Sequence, residues 1–259
     1  SLIAMVIAFA QPVMAVPVPL DRATILLTLD TSASMASTDV APNRLEAAEE
    51  RARQFVEELP DGVQVGLVTF DTSARLLVAP TDDKAQVLSA LGNLSVGPGT
   101  ATADGISAAL AAIQGVPKGD SGKPTPAAIV LMSDGTPTLA SNDADPMAAA
   151  EQASADAGKQ GIPVDTIAFG TTEGTVNVRG EDVPVPVDTA AMEAIAQQSN
   201  GKSFAAETSD QLGSIYDALT HDIAYETKTQ EITALFVGIA LALAVAAAIA
   251  ALLWTQRIV

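Results

Sequence analysis

Short apolar runs alternate with stretches of helical spacing from about residue 21 to residue 225, and this alternation limits the folds open to the chain. Ala23–Leu29 (ATILLTL) reads as a buried strand. Asn43–Leu59 reads as an amphipathic helix, with Asn43 and Glu46 at capping-box spacing. Val63–Phe70 is the next strand, and Ala74–Ala79 is predicted as its antiparallel neighbour across the turn Asp71-Thr72-Ser73. Helical spacing recurs over residues 83–91 and 101–114, followed by a buried strand over Ala127–Met132. Helices over 146–159, 189–198 and 209–225, with strands over 163–169 and 202–206, complete the series. Strands separated by helices of this length predict an α/β fold. The sheet is doubly wound and mostly parallel, Rossmann-like, with one antiparallel strand and helices on both faces. One segment breaks the rhythm: the alternating valines of Thr175–Val187 flank Arg179-Gly180-Glu181-Asp182, which reads as a hairpin turn. A protruding ribbon is expected there, either a surface ornament or a partner-binding element.

The carboxyl end is different in kind. From Ile232 to Gln256 no residue is charged, and a membrane-spanning helix needs roughly 20 apolar residues. Trp254 near its end suits the lipid interface, and Arg257 suits a cytoplasmic flank, which places residues of about 21–230 outside the cell membrane. Gly238, Ala242, Ala246 and Ala250 recur every four residues and offer a small-residue face for another membrane helix. Ser1–Leu20 is a second apolar stretch, interrupted by Gln11, Pro12, Pro17 and Pro19. It reads as part of a membrane helix, or as a signal-like segment with Val13-Met14-Ala15 as a small-residue cleavage site. The expected organisation is thus a membrane or signal segment over 1–20, a globular domain over 21–225, a juxtamembrane linker over 226–231 and a transmembrane helix over 232–256.

The formal net charge is −18, from 31 acidic and 13 basic residues. Nucleic acid is a poor partner for such a chain, because binding it depends on neutralising phosphates with Lys and Arg. Absence of Cys excludes disulfides and thiolate metal sites, and a single His, His221, excludes a His-rich zinc site.

In a doubly wound sheet, ligands bind at the loops that leave the carboxyl ends of the strands. Three polar segments fall at or near such ends: Asp30-Thr31-Ser32-Ala33-Ser34 after the first buried strand, Gly99-Thr100-Ala101-Thr102 before a helix, and Ser133-Asp134-Gly135 after another strand. Taken singly, each suits an ordinary turn or helix cap. Together they offer carboxylate and hydroxyl oxygens without nitrogen or sulfur, a donor set for Mg²⁺, Mn²⁺ or Ca²⁺.

These segments resemble the von Willebrand factor A domains, including integrin I domains, over about residues 21–225. The family's metal-ion-dependent adhesion site combines a D-x-S-x-S loop, a Thr from a second loop and an Asp from a third. The resemblance implies Asp30, Ser32, Ser34, Thr100 and Asp134 as metal-site residues, with Ser32 and Ser34 as direct ligands. Thr100 matches the family's T-x-T-x-x-G pattern, which Gly105 completes, and Thr102 is the alternative. Mg²⁺ is the cation implied first. A finer resemblance is to bacterial BatA-like membrane proteins of the aerotolerance-operon type, particularly actinobacterial ones. It is carried by TLDTSASMASTDVAPNRLEAAE, LMSDGTPT, TIAFGTTEGTV, PVPVDTAAMEAIA and the apolar ends. On that resemblance the chain lacks the family's first membrane helix and part of the second. The resemblance further implies a protein partner whose Asp or Glu completes the metal, other membrane proteins of this kind, and a MoxR-type ATPase active in envelope-protein assembly.

Two other functions fit parts of the same pattern. A metal-assisted phosphohydrolase of the haloacid-dehalogenase type would use Asp30 as nucleophile, but it needs a second Asp where this chain has Ser32. No Walker A sequence or Gly-x-Ser-x-Gly elbow is present, so the chain is not expected to be an enzyme. A structural subunit braced by the cation is the other.

Overall fold

The computed structural model describes residues 13–19, 23–117, 125–140, 144–178, 180–231, 237–239, 241–246 and 249. The described elements begin with β1 (Val13–Pro19), β2 (Ala23–Asp30), a 3₁₀ turn (Ala33–Ala36), α1 (Arg44–Glu58), β3 (Val63–Phe70), β4 (Ala74–Thr81) and α2 (Lys84–Leu91). They continue with α3 (Thr102–Gln114), β5 (Ala127–Ser133), α4 (Pro146–Gly158), β6 (Val164–Phe169), β7 (Thr175–Val178) and β8 (Glu181–Pro184). The last are α5 (Thr189–Gln198), β9 (Ser203–Ala206), α6 (Ser209–Ala224) and β10 (Tyr225–Glu231). Two compact units result, one of residues 20–224 and one of residues 1–19 with 225–259.

Within the larger unit the sheet runs β4-β3-β2-β5-β6-β9. Every pairing in it is parallel except β3–β4, as the strand–helix alternation predicts. All residues of β2 are buried, which demands cover on both faces of the sheet. Helices α3, α4 and α5 form one layer, and α1 with α2 and α6 forms the other. Beneath the first layer Leu26, Val68, Phe70, Ile129 and Leu131 pack with Ile106, Met192 and Ile195. In the second, the rings of Phe55 and Tyr216 meet at a centroid distance of 4.7 Å. Gly105 lets α3 lie close to the sheet, since a Cβ there would stand 2.8 Å from the Phe70 ring.

Helix α1 starts where the capping box predicts. Asn43 accepts from the Glu46 N–H at 2.8 Å and donates its side-chain amide to the Glu46 carboxylate at 2.7 Å. Asn43→Ala is expected to lower stability by about 1 kcal/mol, as loss of such a cap does, measured by the urea midpoint. An unchanged midpoint would show that the cap contributes nothing here.

The smaller unit differs from the sequence expectation. Val13–Pro19 belongs to neither a helix nor an irregular leader: it is a strand, paired antiparallel with Tyr225–Glu231 in register Val13↔Glu231 to Pro19↔Tyr225. The expected linker over 226–231 is therefore half of a two-stranded ribbon. Pro17 and Pro19 oppose a helix over these residues, since proline lacks the N–H that a helix interior needs. The rest of the 1–20 segment lies outside the described residues. So does much of the spanning helix expected over 232–256, of which residues 237–239, 241–246 and 249 are helical. Among the described residues no helix is long and apolar enough to cross a membrane.

Candidate metal centre

Strands β2 and β5 are parallel neighbours, with Leu29 opposite Met132, so Asp30 and Ser133 leave the same edge of the sheet together. The Ser133 hydroxyl donates to Asp30 Oδ2 at 2.5 Å, and the Ser32 N–H donates to Asp30 Oδ1 at 2.7 Å. Beyond them the Ser32 and Ser34 hydroxyls are 2.9 Å apart, and Ser34 Oγ donates to Asp134 Oδ1 at 2.8 Å. A contiguous set of hydroxyl and carboxylate oxygens thus runs along the strand ends from Ser32 through Ser34 to Asp134. Asp30, Ser32 and Asp134 are buried and Ser34 is half-buried, so the set reaches solvent at Ser34.

The loop carrying Thr100 is sewn to this edge by main-chain bonds. The Gly97 N–H donates to the Thr31 carbonyl at 2.8 Å, and the Ala101 N–H to the Asp71 carbonyl at 2.7 Å. Thr100 exchanges two bonds with Thr138: its N–H donates to the Thr138 hydroxyl at 2.9 Å and its carbonyl accepts from the Thr138 N–H at 3.0 Å. The Thr100 loop is therefore tied both to the β2 end and to the loop that follows Asp134. A side chain at Gly97 would run into the Asp71 carboxylate, which explains the glycine at that crossing. Thr102, the alternative to Thr100, opens α3 fully buried, and its hydroxyl has no hydrogen-bond partner.

Burial, with the nearby Asp134 charge, pushes the Asp30 carboxyl up to about 7, against hydrogen bonds from Ser133 and Ser32 that act in the opposite direction. Burial also raises the Asp134 carboxyl, although Ser34 and Arg44 both donate to it and oppose the rise. Two buried carboxylates that resist ionisation together, next to hydroxyl oxygens, are chemically suited to a cation that offsets their charge. Among the described residues no group of three or more His, Cys, Asp and Glu side chains is placed to hold a metal. Any cation here would rely on hydroxyls beside the two carboxylates, as the five-residue set implies.

Several residues of the centre lie outside the five implied as metal-site residues. Ser133 holds Asp30, and Asp71 braces the Thr100 loop. Arg44 is buried and donates Nη1 to Asp134 Oδ2 at 2.7 Å. It also forms a two-pronged pair with Asp39, from Nε to Oδ1 at 2.8 Å and from Nη2 to Oδ2 at 2.7 Å. Burial alone would raise the Asp39 carboxyl, but Arg44 and the N–H and hydroxyl of Thr171 hold it well below the usual carboxylate range. One signal of Arg44 was available: it is the first residue of a helix, where the helix dipole disfavours a cation, so its charge had to be used elsewhere.

A mostly parallel six-stranded sheet with Asp-x-Ser-x-Ser, Thr and Asp loops gathered at one edge defines a von Willebrand factor A-type domain, and residues 25–136 match the von Willebrand factor type A domain family. The whole chain is 40% identical over 260 residues to a "UPF0353 protein" of Mycobacterium marinum, covering 100% of this chain and 77% of that protein. The chain belongs to this UPF0353 family of A-domain proteins. Its fold is similar to that of BatB from Bacteroides thetaiotaomicron, with a TM-score of 0.65 and 23% identity over 77% of this chain and 96% of that one. It is also similar to an aerotolerance-related membrane protein from Bacteroides fragilis, with a TM-score of 0.66 and 21% identity over 78% of this chain and 100% of that one.

Proposed function

We propose that this chain is a membrane-anchored binding module that captures a protein partner through a divalent cation. Asp30, Ser32, Ser34, Thr100 and Asp134 hold the cation, and an Asp or Glu of the partner completes its coordination. The observation that carries this reading is the run of oxygens from Ser32 through Ser34 to Asp134 beside buried Asp30. Arg44 is shared between Asp39 and Asp134, so the cluster holds one cation against three carboxyls, and a divalent ion would offset the charge of Asp30 and Asp134 once both are ionised. Hard oxygen donors favour Mg²⁺, with Mn²⁺ or Ca²⁺ accepted by the same set. Few protein ligands leave room for an outside carboxylate, and the cation offsets the repulsion that an acidic partner would feel from a chain of net charge −18.

The same reading places the A domain on the extracytoplasmic side of the cell membrane, with the carboxyl terminus cytoplasmic. Val237, Ile239, Leu241, Leu243, Val245 and Ile249 present exposed apolar side chains, which supports a lipid-facing segment. A MoxR-type ATPase and further A-domain membrane proteins are the proposed associates, in assembly of envelope proteins. No catalytic role is assigned: purified protein should leave a generic phosphate ester intact with Mg²⁺. Turnover that disappears in Asp30→Ala would reverse that.

The test is a pull-down of full-length protein in detergent with Mg²⁺, with EDTA, and as Asp30→Ala. A partner recovered only with Mg²⁺ and intact Asp30 is expected. The proposal fails if the same partner is retained undiminished in EDTA and by Asp30→Ala. If metal removal lowers the melting temperature yet spares the partner, the cation is a brace and not a bridge.

A further inference from the structure

The Arg44 side chain is 0% exposed, and its guanidinium makes five hydrogen bonds that join distant parts of the larger unit. Besides Asp39 and Asp134, Nη2 donates to the carbonyls of Val185 at 3.0 Å and Thr171 at 3.4 Å. These two residues flank the β7–β8 ribbon. Its neck is closed by bonds from the Val185 N–H to the Gly174 carbonyl at 2.8 Å and from the Val187 N–H to the Thr171 carbonyl at 3.1 Å. Asp39 grips the same neck, accepting from the Thr171 N–H and hydroxyl, each at 2.8 Å. One guanidinium therefore touches a candidate metal ligand and both sides of the ribbon's base.

The channel that holds Arg44 is made by glycines. At Gly170, where φ is +136°, a Cβ would stand 2.5 Å from the Arg44 Cζ, and at buried Gly174 a Cβ would overlap Nη2. The guanidinium has no room on those sides, so it cannot shift toward or away from Asp134 without disturbing the neck. The ribbon packs against the 3₁₀ turn that carries Ser34. Its outer residues Glu181, Asp182, Val183 and Pro184 are exposed.

We infer that Arg44 is a positioning residue that couples the metal centre to the β7–β8 ribbon, so that cation and ribbon form one docking surface. This rests on the metal reading above. Asp134 divides its oxygens, Oδ1 toward Ser34 and Oδ2 toward Arg44. Asp134 would help hold the cation through the same carboxylate that accepts from Arg44, and the planar guanidinium fork ties that carboxylate to the Thr171 and Val185 carbonyls. A partner's carboxylate would complete the cation while Glu181–Pro184 would face the residues beside that carboxylate. The exposed strand β8, acidic at Glu181 and Asp182 and apolar at Val183 and Pro184, fits a partner whose acidic residue is flanked by basic and apolar ones.

The experiment is amide hydrogen exchange on the full chain in detergent, with and without saturating Mg²⁺, for wild type, Arg44→Met, Arg44→Lys and Gly174→Ala. In wild type, Mg²⁺ should slow exchange over residues 30–36 and also over residues 171–187, the latter by about tenfold, within the range of coupling between linked sites. Arg44→Lys keeps a charge but not the fork, and Gly174→Ala keeps the charge but displaces it. Both should lose the response of residues 171–187, Gly174→Ala should retain that of residues 30–36, and the two variants decide the question if circular dichroism shows Arg44→Met unfolded. A purely structural role would loosen the ribbon equally with and without Mg²⁺, which overturns the coupling. A wild-type ribbon silent to Mg²⁺ while residues 30–36 respond also overturns it and leaves the metal reading standing. Silence of residues 30–36 themselves sinks the metal reading and the coupling together.

Discussion

Asp30→Asn is expected to make the metal-free protein more stable at pH 8 while abolishing its response to Mg²⁺. The sign follows from the raised pKa. Asp30 is pushed up to about 7 in the folded chain, against 3.8 for an ordinary aspartate, chiefly by burial and then by the Asp134 charge. Between those limits the folded state keeps a proton that the unfolded state gives up, so stability falls as pH rises from about 4 to about 7. Asparagine cannot ionise and removes that slope. It also keeps the geometry, because its carbonyl can accept from the Ser32 N–H, and Ser133 Oγ can turn from donor to acceptor. The gain at pH 8 should be on the order of a few kcal/mol, and a domain of this size shifts its Tm by about 2–4 °C per kcal/mol. The two proteins should converge near pH 4. Mg²⁺ at 100 times its Kd should add about 2.7 kcal/mol to wild type and nothing to the variant. Urea unfolding of both proteins at pH 4 and pH 8, in EDTA and in Mg²⁺, checks each of these expectations. A variant less stable than wild type in EDTA at pH 8 would contradict this account of Asp30.

Arg44→Met should act in the opposite direction and more strongly. It leaves Asp39 and Asp134 without the cation they share, and breaking a buried ion pair from one side costs about 3–5 kcal/mol. The loss should be full at neutral pH and start to fade only below the ordinary aspartate value of 3.8, ending where pH falls through the depressed folded-state value, because only there is Asp39 protonated in both states. Asp39 is held well below its usual range in the folded chain, so its contribution is present above the unfolded value and is lost under acid conditions. Adding Asp134→Asn to Arg44→Met should recover part of the loss, since one of the two stranded charges is removed. A melting temperature within 2 °C of wild type at pH 7, by the conversion of about 2–4 °C per kcal/mol, would show that the pair contributes little.

Much of this architecture was legible beforehand because its signals are local. A strand followed by a helix of matching length leaves few ways to close a sheet, and Ala23–Asp30, Val63–Phe70 and Thr189–Gln198 lie within a residue of their expected limits. The Asn43 cap was equally readable, because donor and acceptor are three residues apart. The Asp-x-Ser-x-Ser loop was legible as a motif, although its residues taken alone suit any turn.

What the chain could not announce is pairing between residues far apart in sequence. Nothing near Val13 foretells a partner at Glu231, so part of a membrane helix or a signal-like segment, and a juxtamembrane linker, are expected from sequence where a two-stranded ribbon stands. A strand's partner is chosen by chain topology and edge availability, and its own residues supply only compatibility with extended backbone. The metal centre divides along the same line. Asp30, Ser32, Ser34, Thr100 and Asp134 were candidates by residue type and position at strand ends. Ser133, Asp39 and Arg44 became part of the centre only through folding, and Arg44 lies 90 residues from Asp134. Sequence alone thus determined the α/β sheet and the edge at which the candidate oxygen donors gather, because periodicity and strand ends are set by neighbouring residues. Tertiary structure alone decided which buried cation faces those oxygens and how it reaches the ribbon, because a buried charge is stable only where the completed fold brings its counter-charges to it.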